Sequence, residues 1–238
     1  MGLGSDAATG WPFTDWVEDY MLRLKGPDVY DDWVAHEIPF DDPDVVEVGQ
    51  YVIDLWSREN AVFGGLQNVA ATPFAEAGRP LLDGDCMLHR QGNFYAANWP
   101  EGTELGEDGQ VNAFYLPGSE GNPNITLSGG IYAAAFADRP EVLEVMEFLA
   151  STDYANTRAP VGGFLAPNQN TDTSLYPTEI EQSFAEILAE ADPVRFDASD
   201  LMPGEVGSGS FWSAAVDITT GAKDVPTAFA DVEASWPE

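Results

Sequence analysis

The sequence has 238 residues, 44% hydrophobic and 12% aromatic, enough to bury a sizeable core and too apolar for a disordered acidic tail. Its 41 acidic residues against 9 basic ones give a net charge of −32. That balance excludes nucleic acid as a partner and disfavours anionic membranes, because both are bound by neutralising phosphate with Lys and Arg.

The opening Met1-Gly2-Leu3-Gly4-Ser5-Asp6 has no basic-then-apolar leader and reads as the start of an interior segment. A helix is expected from near Asp15, where Asp15 and Glu18 form a cap-like Asp-x-x-Glu. Its apolar positions are Trp16, Val17, Tyr20, Met21 and Leu24, and Gly26-Pro27 ends it. Behind Pro43, the spacing of Val45, Val48, Val52, Leu55 and Trp56 predicts a second helix. The same pattern recurs at Val142–Leu149 behind Pro140, at Ile180–Leu188 behind Pro177, and at Val225–Trp236 before Pro237. Ser208-Gly209-Ser210 offers a flexible approach and a Ser cap for one more helix, with Trp212 in its first turn and its end at about Thr220. Strands are expected over Cys86–Arg90, Val111–Leu116 and Ile125–Phe136. Gly- and Pro-marked irregular stretches at Pro117–Pro123 and Gly162–Tyr176 are the expected lobe crossings. The sum is an α/β architecture dominated by helix.

Enzyme signatures are missing from the sequence. There is no phosphate-binding Gly-x-x-x-x-Gly-Lys loop and no Gly-x-Ser-x-Gly elbow. His36, His89 and Cys86 are too few for a His/Cys zinc site, and the Asp clusters at 41–44 and 83–85 lack calcium-loop spacing. Cys86 stands alone and is expected to be a small buried hydrophobe, on a strand that turns it away from His89. Asn124-Ile125-Thr126 matches a glycosylation triplet, which is frequent by chance. A glycosidase carboxylate pair can be neither placed nor excluded among 41 acids.

Three aromatic clusters at Gly- and Pro-marked element starts stand out: Gly10-Trp11-Pro12-Phe13-Thr14-Asp15-Trp16, Gln91-Gly92-Asn93-Phe94-Tyr95, and Gly207-Ser208-Gly209-Ser210-Phe211-Trp212. Flat aromatic rings beside Asp, Asn and Gln suit sugars, whose apolar C–H faces are bordered by hydroxyls. Ordinary core packing is the competing reading for each cluster taken alone.

The first and third clusters, with Leu81–Met87 running into Gly92-Asn93-Phe94 and with Leu127-Ser128-Gly129-Gly130-Ile131-Tyr132-Ala133-Ala134, resemble motifs of one family in that family's order. It is the maltose-binding-protein-like family of extracellular solute-binding proteins, which serve carbohydrate ABC importers. The resemblance covers essentially the whole chain. It implies a fold like the type II periplasmic binding proteins, a sugar or oligosaccharide ligand, importer membrane subunits as partners, and no enzymatic activity. By resemblance, Trp212 and Phe94 stack on sugar, and Trp11, Phe13, Asp15 and Trp16 lie near another ligand-facing aromatic. Gly129 and Gly130 lie by the cleft. Family members are nearly twice as long, so the chain corresponds to the carboxy-terminal part. A lipid-bearing amino-terminal Cys, common in the family, would lie outside it.

The expected division is a main lobe over residues 1–116 and 177–238, with 117–176 as hinge and as a segment of the other lobe. No metal or organic cofactor is expected. A glycan-active hydrolase and a non-carbohydrate binding module are the alternatives.

Overall fold

Proline in the first turn, or a capping side chain just before it, starts most of the helices described. In the computed structural model, which describes residues 1–118 and 124–237, α1 (Trp11–Lys25) starts from Gly10 with Pro12 in its first turn. α2 (Pro27–Val34) follows directly from Gly26. α3 (Pro43–Trp56) is capped by Asp42, whose carboxylate accepts the Asp44 N–H at 2.9 Å. Two single turns come next, α4 (Leu66–Val69) and α5 (Arg79–Leu82), then strand β1 (Thr126–Ser128). α6 (Pro140–Leu149) leads into α7 (Thr152–Arg158), which Ser151 caps. α8 (Glu179–Glu190) is capped by Thr178: its hydroxyl accepts the Glu181 N–H and donates to the Glu181 carboxylate at 2.8 Å. After β2 (Val194–Phe196) come α9 (Ala198–Leu201), α10 (Phe211–Thr220), and α11 (Val225–Glu233), which Asp224 caps.

Several expectations are corrected. α1 starts four residues before Asp15, so Asp15 and Glu18 sit inside the helix and do not cap it. Ser210 makes no capping bond; it closes a five-residue π-turn at Val206–Ser210, and its hydroxyl meets that of Ser235 at 2.7 Å. No strand forms over 86–90, and Cys86 is half-buried next to an exposed Met87 and Leu88. Over 111–116 only Val111 bridges, to Leu105, and Ile125–Phe136 shortens to the three residues of β1. Short apolar runs have strand-like composition, but a strand needs a neighbouring edge, and β1 has one where β2 reaches it. Part of the expected Pro117–Pro123 turn, residues 119–123, lies outside the described residues.

The chain forms two compact units. Unit 1 comprises residues 1–91, 118–128 and 193–238. Here α1 packs against α2, α3 and α10, and α10 against α11. β1 and β2 pair in parallel, Thr126 opposite Val194 and Ser128 opposite Phe196. The core centres on edge-to-face rings: Phe40 lies 4.8 Å from Phe211 and 5.2 Å from Phe229, with Trp33 5.4 Å from Phe40. All four are at 0% exposure. Burying each such side chain contributes about 1.5–3 kcal/mol.

Unit 2 comprises residues 92–117 and 129–192 and carries α6, α7, α8 and a 3₁₀ turn at Asn93–Asn98. Its buried hydrophobic cluster is small: Ala159, Tyr176 and Ala185, with Leu165 and Leu175 against them. The irregular stretch 162–176 lies within this unit and is tied locally. The Tyr176 hydroxyl accepts the Ala166 N–H at 2.9 Å, and Glu181 accepts the Gly163 N–H at 2.8 Å. Among the described residues no helix is long and apolar enough to cross a membrane.

Candidate functional site

Gly10 determines where the first aromatic cluster lies. Its φ is +122°, and a Cβ built there would stand 2.4 Å from the Trp212 carbonyl oxygen. Only glycine allows this approach, so the start of α1 and the start of α10 meet backbone to backbone. Gly207 acts likewise one turn before α10, where a Cβ would lie 1.8 Å from the Ser199 carbonyl oxygen. Gly10 thus brings together the first and third aromatic clusters, which are some 200 residues apart in sequence, while Gly207 seats the turn before α10 on α9.

Each sequence-predicted residue can now be placed. Trp11 is half-buried, edge-to-face with Phe74 at 4.9 Å. Trp16 is half-buried, stacked on Tyr20 at 5.8 Å and 15°, and edge-on to Trp56 at 5.4 Å. The Arg90 guanidinium lies 5.2 Å from the Trp16 ring centroid. Tyr51 continues this row, 5.1 Å from Tyr20. Trp212 is half-buried, and its shielded indole N–H has no hydrogen-bond partner among the described residues. Phe13 is a correction: it is at 0% exposure, packs on Trp56 at 5.7 Å, and serves the core rather than a ligand. Phe94, Gly129 and Gly130 belong to unit 2. The Phe94 ring is 50% exposed and lies over Gly92, and both glycines of the pair are exposed.

Asp15 stands in a carboxyl group that sequence reasoning missed. Asp15, Glu18 and Asp197 place one oxygen each within 4.8 Å of the others. Glu18 is fully buried, and its two oxygens accept the backbone N–H groups of Ala198 and Ser199, both at 3.2 Å. Asp197 accepts from the Ser199 hydroxyl at 2.8 Å and the Asp200 N–H at 3.2 Å. Burial, then the neighbouring Asp197 charge, pushes Asp15 up to about 8; the same causes hold Glu18 well above the usual carboxylate range. The group therefore retains a proton at neutral pH. Beside it, buried Asp19 takes Arg23 and Arg90, each at 2.9 Å, and Arg90 also donates to the Asp15 carbonyl at 3.2 Å.

This arrangement offers flat aromatic faces, carboxyl oxygens and a carbonyl-anchored guanidinium within one unit, which can bind hydroxyl-rich molecules by stacking and hydrogen bonding. The three carboxyl groups are close enough to share a hard cation, but both Glu18 oxygens are already occupied by backbone N–H groups. A signal for the missed partners was present in α1, where Asp15, Glu18 and Asp19 interrupt an apolar helix near its middle.

No family model matches the chain. It is 43% identical over 242 residues to the osmoprotective compounds-binding protein GgtB of Synechocystis, covering the whole of this chain and 56% of that protein. It is 38% identical over 245 residues to the alpha-glucosides-binding periplasmic protein AglE of Rhizobium meliloti, covering 99% of this chain and 52% of that one. The chain thus spans about half the length of the curated relatives it matches. The likeness to solute-binding proteins that the motifs suggested extends over the whole chain.

Proposed function

We propose that the chain is the sugar-recognising, carboxy-terminal part of a type II-like periplasmic solute-binding protein, that it binds a sugar or oligosaccharide, and that it delivers this ligand to the membrane subunits of an ABC importer at the extracellular face of the cell envelope. It binds and does not catalyse. The observation that carries this reading is the backbone contact between Gly10 and Trp212, which sets the start of α1, with Trp11, against the start of α10, with Trp212. The names of the two relatives agree with it.

In this proposal the ring of Trp212 stacks on the apolar face of a sugar ring, and the half-buried Trp16 and Trp11 are further aromatic contacts. Trp212 acts through its ring face, because its indole N–H is shielded. Asp15, protonated at neutral pH, can donate as well as accept a hydrogen bond to a sugar hydroxyl. For Phe94 and the Gly129-Gly130 pair, which belong to unit 2, a ligand-facing role is proposed from the motif resemblance alone. Unit 1 is the proposed main lobe and unit 2 the proposed piece of the other. No cofactor takes part.

The test is titration of intrinsic Trp fluorescence with alpha-glucosides and osmoprotective solutes, the classes in the relatives' names, with chromatography of the same samples for cleavage products. Saturable quenching without turnover is expected. Trp212→Ala should weaken affinity about tenfold, since a stacked aromatic adds about 0.5–1.5 kcal/mol beyond the area it buries. Oligosaccharide cleavage, or no response to any member of the panel, overturns the reading.

A further inference from the structure

The joint between α1 and the turn before α9 contains hydrogen bonds that need a proton. Asp15 and Glu18 of α1 each hydrogen-bond to Asp197, and two carboxyl groups can be joined in this way only when one of them is protonated. The guanidinium groups beside them, Arg23 and Arg90, pair with Asp19 at 2.9 Å instead. Asp197 is also the N-cap of α9: its Oδ1 accepts both the Ser199 hydroxyl and the Asp200 N–H, which leaves Oδ2 available to the carboxyl groups. Glu18 holds the same turn through the Ala198 and Ser199 N–H groups, and the Thr14 hydroxyl of α1 meets that of Ser199 at 3.4 Å. The Ser199 carbonyl in turn lies against Gly207, with no room for a side chain between them, and Gly207 belongs to the π-turn that runs into α10. Trp212 is the second residue of α10. A line of contacts therefore joins the shared proton to Trp212. The other titratable groups that face the joint are Asp19, Tyr30 of α2, Asp200 and Arg90. Asp19 and Asp200 add to the negative field, burial keeps Tyr30 un-ionised, and Arg90 opposes them. β1 and the π-turn contain no titratable residue.

We propose that Asp197 is a proton-dependent positioning residue, which seats α9, the π-turn and so the start of α10 while the three carboxyl groups hold a proton, and loosens that seat when the proton leaves. Loss of the proton adds a negative charge among carboxyl oxygens that lie within 4.8 Å of one another, and separation of α9 from α1 relieves the repulsion. Burial, then the Asp197 charge, pushes Asp15 up to about 8, so the seat is intact at neutral pH and loosens as pH rises through that value. Ligand affinity should follow the same curve, and bound ligand should by reciprocity hold the proton to higher pH. The positioning role stands on the α1–α9 geometry; its effect on affinity rests on the proposed ligand-facing role of Trp212.

The experiment records fluorine NMR spectra of the full chain labelled with 5-fluorotryptophan, without ligand, from about pH 6 to about pH 9.5. The Trp212 and Trp99 signals are identified by their absence from Trp212→Phe and Trp99→Phe. The Trp212 resonance should shift with a midpoint near 8, while that of Trp99, in unit 2, stays in place. Asp197→Asn should abolish the shift, because its side-chain carbonyl can keep both cap bonds while its amide donates to Asp15 and Glu18 at every pH. Titration of the same samples with alpha-glucosides should give a dissociation constant about fivefold or more weaker at pH 9.5 than at pH 7, and a ratio within about twofold in Asp197→Asn. Circular dichroism checks the fold; if Asp197→Asn does not fold, Glu18→Gln supplies the permanent donor instead, and if neither folds the wild-type Trp212 shift decides. A Trp212 resonance that stays in place, a shift that persists in Asp197→Asn, or equal affinity at the two pH values overturns the proposal. A Trp212 shift without any sugar response supports the positioning role and removes the ligand assignment. Sugar affinity that falls with pH while the Trp212 resonance stays in place keeps the ligand assignment and overturns the positioning role, leaving Asp15 itself as the pH-dependent contact.

Discussion

The two units put similar apolar sequence to opposite use. In unit 1, α3 buries Val45, Val48 and Val52 under Phe229 and Val225, and a Cβ on Gly49 would stand 2.6 Å from the Phe229 ring. In unit 2, α6 follows the same spacing but buries none of it fully, with Val142 and Met146 half-buried and Val145 and Leu149 exposed. Propensity and pattern make a helix in both cases; a core also needs a second surface. Unit 1 finds it within its own segments, and unit 2 does so only around Tyr176.

Paired truncations sharpen this contrast most. Phe229→Ala should lower unfolding free energy by about 3–5 kcal/mol, while Phe148→Ala in unit 2 should cost about 1 kcal/mol or less. Urea denaturation followed by circular dichroism measures both, and equal losses would erase the distinction.

The next effect is in pH. Asp15 has an unfolded value of 3.8 and is raised to about 8 in the folded state, so between those values the native state holds more protons than the unfolded one. Stability must therefore fall as pH rises through that window, and level off above it. From pH 5 to 8 the loss should be on the order of 2–4 kcal/mol, and Asp15→Asn should flatten the profile. Melting curves at a series of pH values read this directly; a profile identical in wild type and variant would mean that the three carboxyl groups do not share a proton. Because the group sits in unit 1, a probe in unit 2 should show the smaller dependence.

Gly10→Ala should cost about 1–3 kcal/mol, because φ is +122° and the Trp212 backbone occupies the space of the new methyl group. If Trp212 contributes to binding as proposed, the same variant should weaken sugar affinity as well, whereas Ala at the exposed Gly129 should leave stability within about 0.5 kcal/mol. The smallest expected effect is that of a chelator: with both Glu18 oxygens held by backbone N–H groups, EDTA should change neither melting temperature nor affinity. A loss restored by calcium would show that the carboxyl group holds a cation.

Helices with proline in the first turn were legible because the signal is local: Pro43 and Pro140 act within one turn. The strands were not, because whether Ile125–Phe136 becomes a strand depends on β2, which lies 66 residues beyond β1 in sequence. The aromatic clusters were visible as composition, but burial separates them: Phe13 faces the core while Trp16, three residues later, keeps part of its ring at the surface. The carboxyl group was hidden for the same reason as the strands. Glu18 and Asp197 are distant in sequence, and the Asp-x-x-Glu spacing that looked like a cap was two of its three members.

The pairing of β1 with β2 has a consequence for how the chain would come apart. Unit 1 is assembled from residues 1–91 carrying α1 and α3, residues 118–128 carrying β1, and residues 193–238 carrying α10 and α11, while unit 2 takes residues 92–117 and 129–192. The pieces are joined by the β ladder, by Glu18 on the α9 backbone, and by Phe40 against Phe211 and Phe229. A protease that nicks the exposed 131–137 run should therefore give two bands on a denaturing gel from what still migrates as one particle in native buffer. The halves of unit 1 would behave as complementing fragments.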